Sequence, residues 1–588
     1  MKTATPYFLF CLIILSVVWG STCNAQGIGI NNAAPHASSI LDVTSTNKGM
    51  LMPRMTSAQR LAIALPANGL IVYDISQSAF YFFNGAIWQP LASGTPGWSL
   101  TGNAGTSALV NFVGTTDNQP LVFRVNNLQA GYIDNVDGAF TGRNTFFGKE
   151  AGIANTAGGY ENTFVGFKSG ASNTLGDFNT ALGSFTLQDL TTGYSNLALG
   201  AQAMMKATAN FQNSAVGVGA MTFATSGFYN QAFGYHAMFS TASAGIGNNA
   251  FGFEALLNNT GAYNCGMGQT VMRTNTTGSY NCAVGASALY NNTSGNNNVA
   301  IGELSLVNNS TGNFNSALGT RAMYTGVNCS RVVAIGDSAL FFNTANGNQA
   351  FGSRASLNNT TGAQNTAVGY DALYRNASGS GNTVVGNAAG AIQAAYNGCT
   401  FVGNGADANA SGYTNSGAFG SGAIVTANHQ IKIGNGFVAQ IGGAVNWSVI
   451  SDGRFKTNVK QNVSGLKFIN LLNPVTYQYD IAAYNSFIGA PSADSLATSM
   501  KEQVIYSGFI AQEVEAAAAA SDYRFSGVHH PENESDNYTI SYAEFVVPLV
   551  KAVQELTTLN HELEQKQHQL EAEMNFLKEQ LMQIKAAK

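Results

Sequence analysis

The sequence predicts a mainly β chain: a parallel β-roll or β-solenoid rod, followed by an α+β region that ends in a parallel coiled coil. Three observations carry that prediction. From Gly148 to Gly420 a glycine recurs seventeen times, 17 residues apart give or take one. Each follows an apolar residue, the residue two before is Ala in 12 cases, and the residue four before is Asn in 14. A fixed period of that length is the signature of stacked coils. Charge is scarce, 10% of residues against about 25% in an ordinary globular domain. Finally, Leu549, Val553, Leu556, Asn560, Leu563, Gln567, Leu570, Met574, Leu577, Leu581 and Ile584 alternate by four and three without a break, which is a coiled-coil seam.

At 588 residues the chain is too long for one core. Its low charge is not a disorder signature, because hydrophobic residues reach 45% and aromatics 11%. Sixty-six glycines argue against a typical cytosolic enzyme, and a net charge of −5 with no basic run argues against nucleic acid as a partner. The N-terminus reads as a secretory signal: Lys2 is its positive end, Phe8 to Trp19 its apolar run, and Ala25 its last residue. A lipid anchor on Cys23 is the rival, but Gly20-Ser21-Thr22 is a poor lipobox. The apolar run is too short to span a bilayer, so the mature chain is expected outside the cell or on its surface, with no membrane span. Beyond the signal, Cys265, Cys282, Cys329 and Cys399 are too sparse for a disulfide framework and form no CxxC. No cofactor or metal is expected. His561-Glu562 has Gln565 where a zinc-protease helix needs His, and His529-His530 reads as a solvated pair.

Taken in order, residues 27 to about 95 hold two strand-like runs, Gly69 to Tyr73 and Ala79 to Phe83, with the turn Asn84-Gly85 after them. They suit a small antiparallel unit. The stretches Leu41-Asp42-Val43 to Thr56 and Trp98 to Asp117 resemble the leaders of secreted Bacteroidetes tail-fibre-like proteins. In the array, Asn298-Val299-Ala300-Ile301-Gly302 is typical: a short strand with small inward residues, a glycine that permits a tight corner, and an Asn able to stack into an amide ladder between coils about 4.8 Å apart. Spacers such as Asn291 to Gly295 read as turns. The rod would be on the order of 80 Å long. These repeats resemble the β-roll heads of trimeric bacterial adhesins, which implies a trimer; a monomeric β-helix is the alternative. Cys265 and Cys282 occupy the same position of successive coils. They could bridge, although Cys as a small apolar filler is the simpler reading.

The array gives way at Ile450 to Ser451-Asp452-Gly453-Arg454-Phe455-Lys456-Thr457-Asn458-Val459. Serine is a weak nucleophile unless a base takes its proton, and a desolvated lysine can do so. Asp452-Gly453 favours a turn that would bring Ser451 and Lys456 together, while the Asp452 carboxylate could keep a nearby lysine charged. The nonapeptide resembles the start of the C-terminal intramolecular chaperone of phage endosialidases and tail spikes. So do Leu466 to Tyr477, Gly508 to Glu515 and Ser541 to Leu556, in the family's order, with an insertion around Ile481 to Met500. The resemblance implies a domain that trimerises a fibre and then cuts itself off. Ser451 would be the nucleophile, Lys456 the base, Ile450–Ser451 the scissile bond, and Asp452 and Arg454 supporting residues.

The chain thus divides into signal peptide (1–25), β-rich leader (26–143), β-solenoid (144–436), junction (437–450), chaperone (451–545) and coiled coil (546–588). The expected product is a secreted homotrimeric fibre or adhesin-like surface protein, its ligand a surface glycan or host receptor. An uncleaved structural fibre is the alternative. A glycan-degrading spike would need paired carboxylates on one face, and Glu254, Glu303 and Asp337 do not recur at matching positions.

Overall fold

The computed structural model describes residues 27–91, 102–107, 109–134, 142–155, 158–240, 245–489 and 495–587; the signal peptide expected at 1–25 lies outside them. The chain forms two compact units, Met1–Gly114 and Thr115–Lys588. In the first, strands Ile71–Asp74 and Ala79–Phe83 pair antiparallel, as expected of the two strand-like runs, with Ile71 opposite Phe82. Trp88–Pro90 adds antiparallel and Arg54–Met55 parallel. Asn84 ties the turn by accepting from the N–H groups of Ala86 and Ile87. The centre of this unit is ionic. Burial pushes the Asp74 carboxyl up, but hydrogen bonds from Arg60, Ser57 and the N–H groups of Ser76 and Gln77 outweigh it and hold the group below the usual carboxylate range. The Arg60 guanidinium in turn lies 3.9 Å from the ring centre of Tyr81.

The second unit is dominated by the solenoid. Short strands, most of three residues, pair in parallel register from Thr145–Phe147 to Ile431–Ile433. Val299–Ile301 on Ser316–Leu318 is representative, with Ala300 against Ala317. Side chains alternate along a strand, so the central Ala points inward and the two flanking residues outward. The inner column of alanines packs against the Leu or Met found four residues after most of the glycines; Ala300, Leu306, Ala317 and Met323 are fully buried. The apolar residue before each glycine therefore faces out. Leu182, Met267, Ile301, Ile335, Val385 and Val402 are all exposed.

Glycine is required twice over at the corner. Gly302 has φ +125°, and a Cβ there would meet the Gly319 carbonyl at 2.6 Å. The asparagine four before it is buried and satisfied through the ladder. Asn281 Oδ1 accepts from Asn298 N–H at 3.0 Å and from Asn298 Nδ2 at 3.1 Å, while Asn298 Nδ2 also donates to Gly312 O at 2.9 Å. Where Val332 and Cys399 replace Asn, their backbone N–H groups still donate to the Asn below.

A second ladder runs through the spacers. Asn292 donates to Asn275, and Asn309 to Asn292, so these asparagines of the turns are also buried structural members. Core volume is conserved coil by coil. Where the inward strand residue is Phe146 or Phe164 instead of Ala, the Leu/Met position becomes Gly152 or Gly170. A Cβ there would lie 2.6 or 2.5 Å from the ring. Cys265 and Cys282 do sit opposite each other in register, as free thiols, and burial, then the neighbouring Cys282, pushes the Cys265 thiol up.

The first coil is met by the hairpin Leu121–Val125/Leu128–Ile133, which pairs antiparallel with Thr145–Phe147. Its turn residues Asn126 and Asn127 both have positive φ, the geometry of a tight hairpin loop. Tyr132 stacks on Phe146, which stacks on Phe164. After the last coil comes an α+β region. Val475–Tyr477 pairs antiparallel with Tyr506–Gly508, and the inserted segment contains helices Ile481–Ile488 and Ser495–Glu502. Phe468, Val514, Ala517, Ala518 and Phe545 form its core. The chain ends in a single helix, Val546–Ala586. Among the described residues no helix is long and apolar enough to cross a membrane.

Candidate functional site

The site lies on the seam between the rod and the α+β region. Residues 437–452 have no regular secondary structure. Trp447, Val449 and Ile450 are more than 80% exposed along this stretch, an unusual apolar display for a single chain. A short 3₁₀ turn, Gly453–Phe455, then bends the backbone. Asp452 caps it, its Oδ1 accepting from Arg454 N–H at 2.9 Å, and Lys456 N–H closes it on Gly453 O at 3.2 Å. Gly453 has open space around it, so the turn follows from the Asp-Gly pair and not from packing.

That turn brings Ser451 and Lys456 together. Lys456 Nζ donates to Ser451 Oγ at 2.8 Å. Asp452 is turned to Arg454 instead, at 2.9 Å from Nε and 2.6 Å from Nη2. The hydrogen bonds from Arg454 hold the Asp452 carboxyl below the usual carboxylate range, and Asp452 raises the guanidinium in return. The sequence left open whether Asp452 would pair with Lys456; the guanidinium takes that partner. In this arrangement the amine donates to the hydroxyl. Base catalysis needs the reverse, with the hydroxyl donating to a neutral amine. Desolvation makes a lysine a base, and both Ser451 and Lys456 are exposed in the single chain.

Behind the seam, Leu466 N–H, at the start of the helix Leu466–Ile469, donates to Glu555 Oε2 at 2.8 Å. A Cβ on Gly465 would lie 2.6 Å from that carboxylate oxygen, so glycine lets the terminal helix seat here. The stripe of that helix, including Leu556, Leu563, Leu570 and Leu577, is exposed.

The two histidines are not simply solvated. His529 Nε2 lies 2.6 Å from Asp536 Oδ2, and His530 Nδ1 lies 3.1 Å from Glu515 Oε1. Asp536 was not singled out from sequence, and nothing local in the polar loop around it marks it. Among the described residues no group of three His, Cys, Asp or Glu converges as a metal site would require. In the array, Glu254 is held by Arg273 and Asp371 by Arg354.

Compared with known families, residues 27–107 match a phage tail like trimerisation region, and residues 451–522 match the chaperone of endosialidase. The second match begins at the serine of the seam. No curated protein matches the chain. In chain order, a β-solenoid lies between a segment similar to a phage tail-like trimerisation region and a segment similar to the endosialidase chaperone, and a long helix closes the chain.

Proposed function

We propose that the chain is a secreted trimeric fibre or adhesin-like surface protein whose C-terminal chaperone region drives assembly and then cuts the Ile450–Ser451 bond. The observation that carries this reading is the 2.8 Å contact between Lys456 Nζ and Ser451 Oγ, at the first residue of the segment similar to the endosialidase chaperone. Ser451 Oγ gives its proton to the neutral Lys456 amine and attacks the Ile450 carbonyl carbon. The C–O bond forms and the C–N bond breaks, and the proton returns to the leaving amine of Ser451. Water then opens the ester, leaving a carboxylate on Ile450 and a free hydroxyl on Ser451. Each molecule reacts once, in cis.

Two unpartnered apolar stripes support assembly of three copies. One is the outward residue before each repeat glycine and the other is the seam of the terminal helix. Both run lengthwise, as parallel copies would need, and Asn560 and Gln567 on the helix would fix register. Packing of copies at the seam would also cover Val449, Ile450 and Phe455, all exposed in the single chain, and desolvate Lys456 with them. Cleavage then waits for assembly, which makes the finished fibre hard to reverse.

Intact mass and oligomer size of the secreted protein test the reading. A trimer of chains ending at Ile450, with a fragment starting at Ser451, is the expected result, and Ser451→Ala and Lys456→Met should each leave the chain whole. Wild-type trimers that stay full length would return the protein to an uncleaved structural fibre.

A further inference from the structure

A stack of parallel coils must end somewhere, and its last coil would bare both apolar core and unpaired strand edge. Here the last buried pair of strands is Asp407–Ala408 on Ile424–Val425. No further strand pairs with Ile424–Val425, since the last strand, Ile431–Ile433, adds to Gly417–Phe419 instead, yet Ala408, Ile424, Val425, Thr426 and Ala427 are buried. The loop around Asp536 reaches this end. Asn409 Nδ2 donates to Ser535 O at 2.7 Å, and Thr426 Oγ1 donates to Asp536 Oδ1 at 3.0 Å. Asp536 is itself buried, and His529, at 2.6 Å, and the N–H groups of Glu532 and Asn537 satisfy its other lone pairs. Two further tethers lie beside it. Lys501 Nζ donates to Val438 O at 2.7 Å, and Lys432 Nζ lies 3.3 Å from the Tyr484 hydroxyl.

The four contacts of Asn409, Thr426, Lys432 and Val438 cross the seam. Asn409, Thr426, Lys432 and Val438 precede Ile450; Tyr484, Lys501, Ser535 and Asp536 follow Ser451. Breaking the peptide bond therefore removes none of them. We propose that the Asp536 loop is the end cap of the solenoid, and that it holds the 451–588 fragment on the rod after the chain has been cut. The second half rests on the cleavage reading; the first does not.

The test has two arms. In full-length chains made uncleavable by Ser451→Ala, hydrogen exchange is compared with and without Thr426→Val. That substitution removes the cross-seam bond, together with the 3.3 Å contact of the same hydroxyl to Gln430 Oε1, and leaves the His529 and backbone contacts of Asp536 in place. Exchange across 405–433 should rise at least tenfold while the coils around Gly302 stay unchanged, and Asn409→Ala should act in the same direction. Equal exchange in all three proteins overturns the cap. In wild-type protein that has been cut, the fragment should co-elute with the rod on native sizing, and Asn409→Ala/Thr426→Val should release it. A wild-type fragment that leaves unaided overturns the retention. Absence of any fragment overturns the cleavage reading and retention with it, while the exchange arm still decides the cap.

Discussion

The two ends of the rod are closed by different physics. At the N-terminal end the hairpin Leu121–Val125/Leu128–Ile133 joins the sheet through its backbone, and Tyr132 extends the ring stack of Phe146 and Phe164. At the C-terminal end the closing contacts are mostly side chains, Asn409, Thr426 and Asp536, reaching across a stretch without regular structure. A backbone cap shares the cooperativity of the coils it covers. A side-chain cap is a separate body held by a few bonds, and such contacts open at lower free energy. The first end is built to stay closed and the second can be dismantled, which is the polarity expected of a rod whose folding aid sits at one end.

Four substitutions sharpen that contrast. The largest effect belongs to neither end. Gly302→Val, in the middle, puts a branched side chain against the Gly319 carbonyl at positive φ. It should cost about 4 kcal/mol or more and divide the array, seen as loss of the β signal in circular dichroism and of the single sizing peak. Next comes Tyr132→Ala, which uncovers Phe146 and should cost roughly 3 kcal/mol. Its signature is faster exchange in the first coils alone.

The third prediction concerns pH at the other end. Burial pushes the Asp407 carboxyl up to about 6, against which hydrogen bonds from Tyr396 and backbone N–H groups pull down. The folded chain therefore keeps a proton that the unfolded chain sheds at lower pH. The stability this proton lends is full below about pH 4 and is lost as pH rises through 6, roughly 3 kcal/mol in all. Exchange of the coils around Asp407 should speed up across that window while those around Phe146 do not, and Asp407→Asn should flatten the dependence. Smallest is Lys206→Gln, which removes the half-exposed 2.9 Å pair with Asp189 and should shift the melting free energy by less than about 1 kcal/mol.

How much of this could be read beforehand depended on the distance between the residues involved. The Gly and Asn columns were legible because each coil repeats them at nearly fixed intervals. The turn that sets Lys456 beside Ser451 was legible because it is local. The second asparagine ladder was not. Asn292 lies six residues before Asn298, but Asn259 only five before Asn264, and the varying spacer hides the column. The exchange of bulk between Phe146 and Gly152 joins opposite walls of one coil and needs the coil closed to be seen. The outward turn of the residue before each glycine follows from the two-residue alternation of the strand, which points it away from the inward alanine. Asp536 meets Thr426 across 110 residues, a separation at which composition carries no signal.

Because each coil is fastened to the next by the same few bonds, the rod has a definite response to tension. Pulled lengthwise, it should not stretch smoothly or fail all at once. It should peel one coil at a time from whichever end yields first, each step freeing about 17 residues, roughly 55 Å of slack. A tether of this kind absorbs shear in increments and can rewind when the load drops, with the weaker closure setting the force at which the first coil lets go.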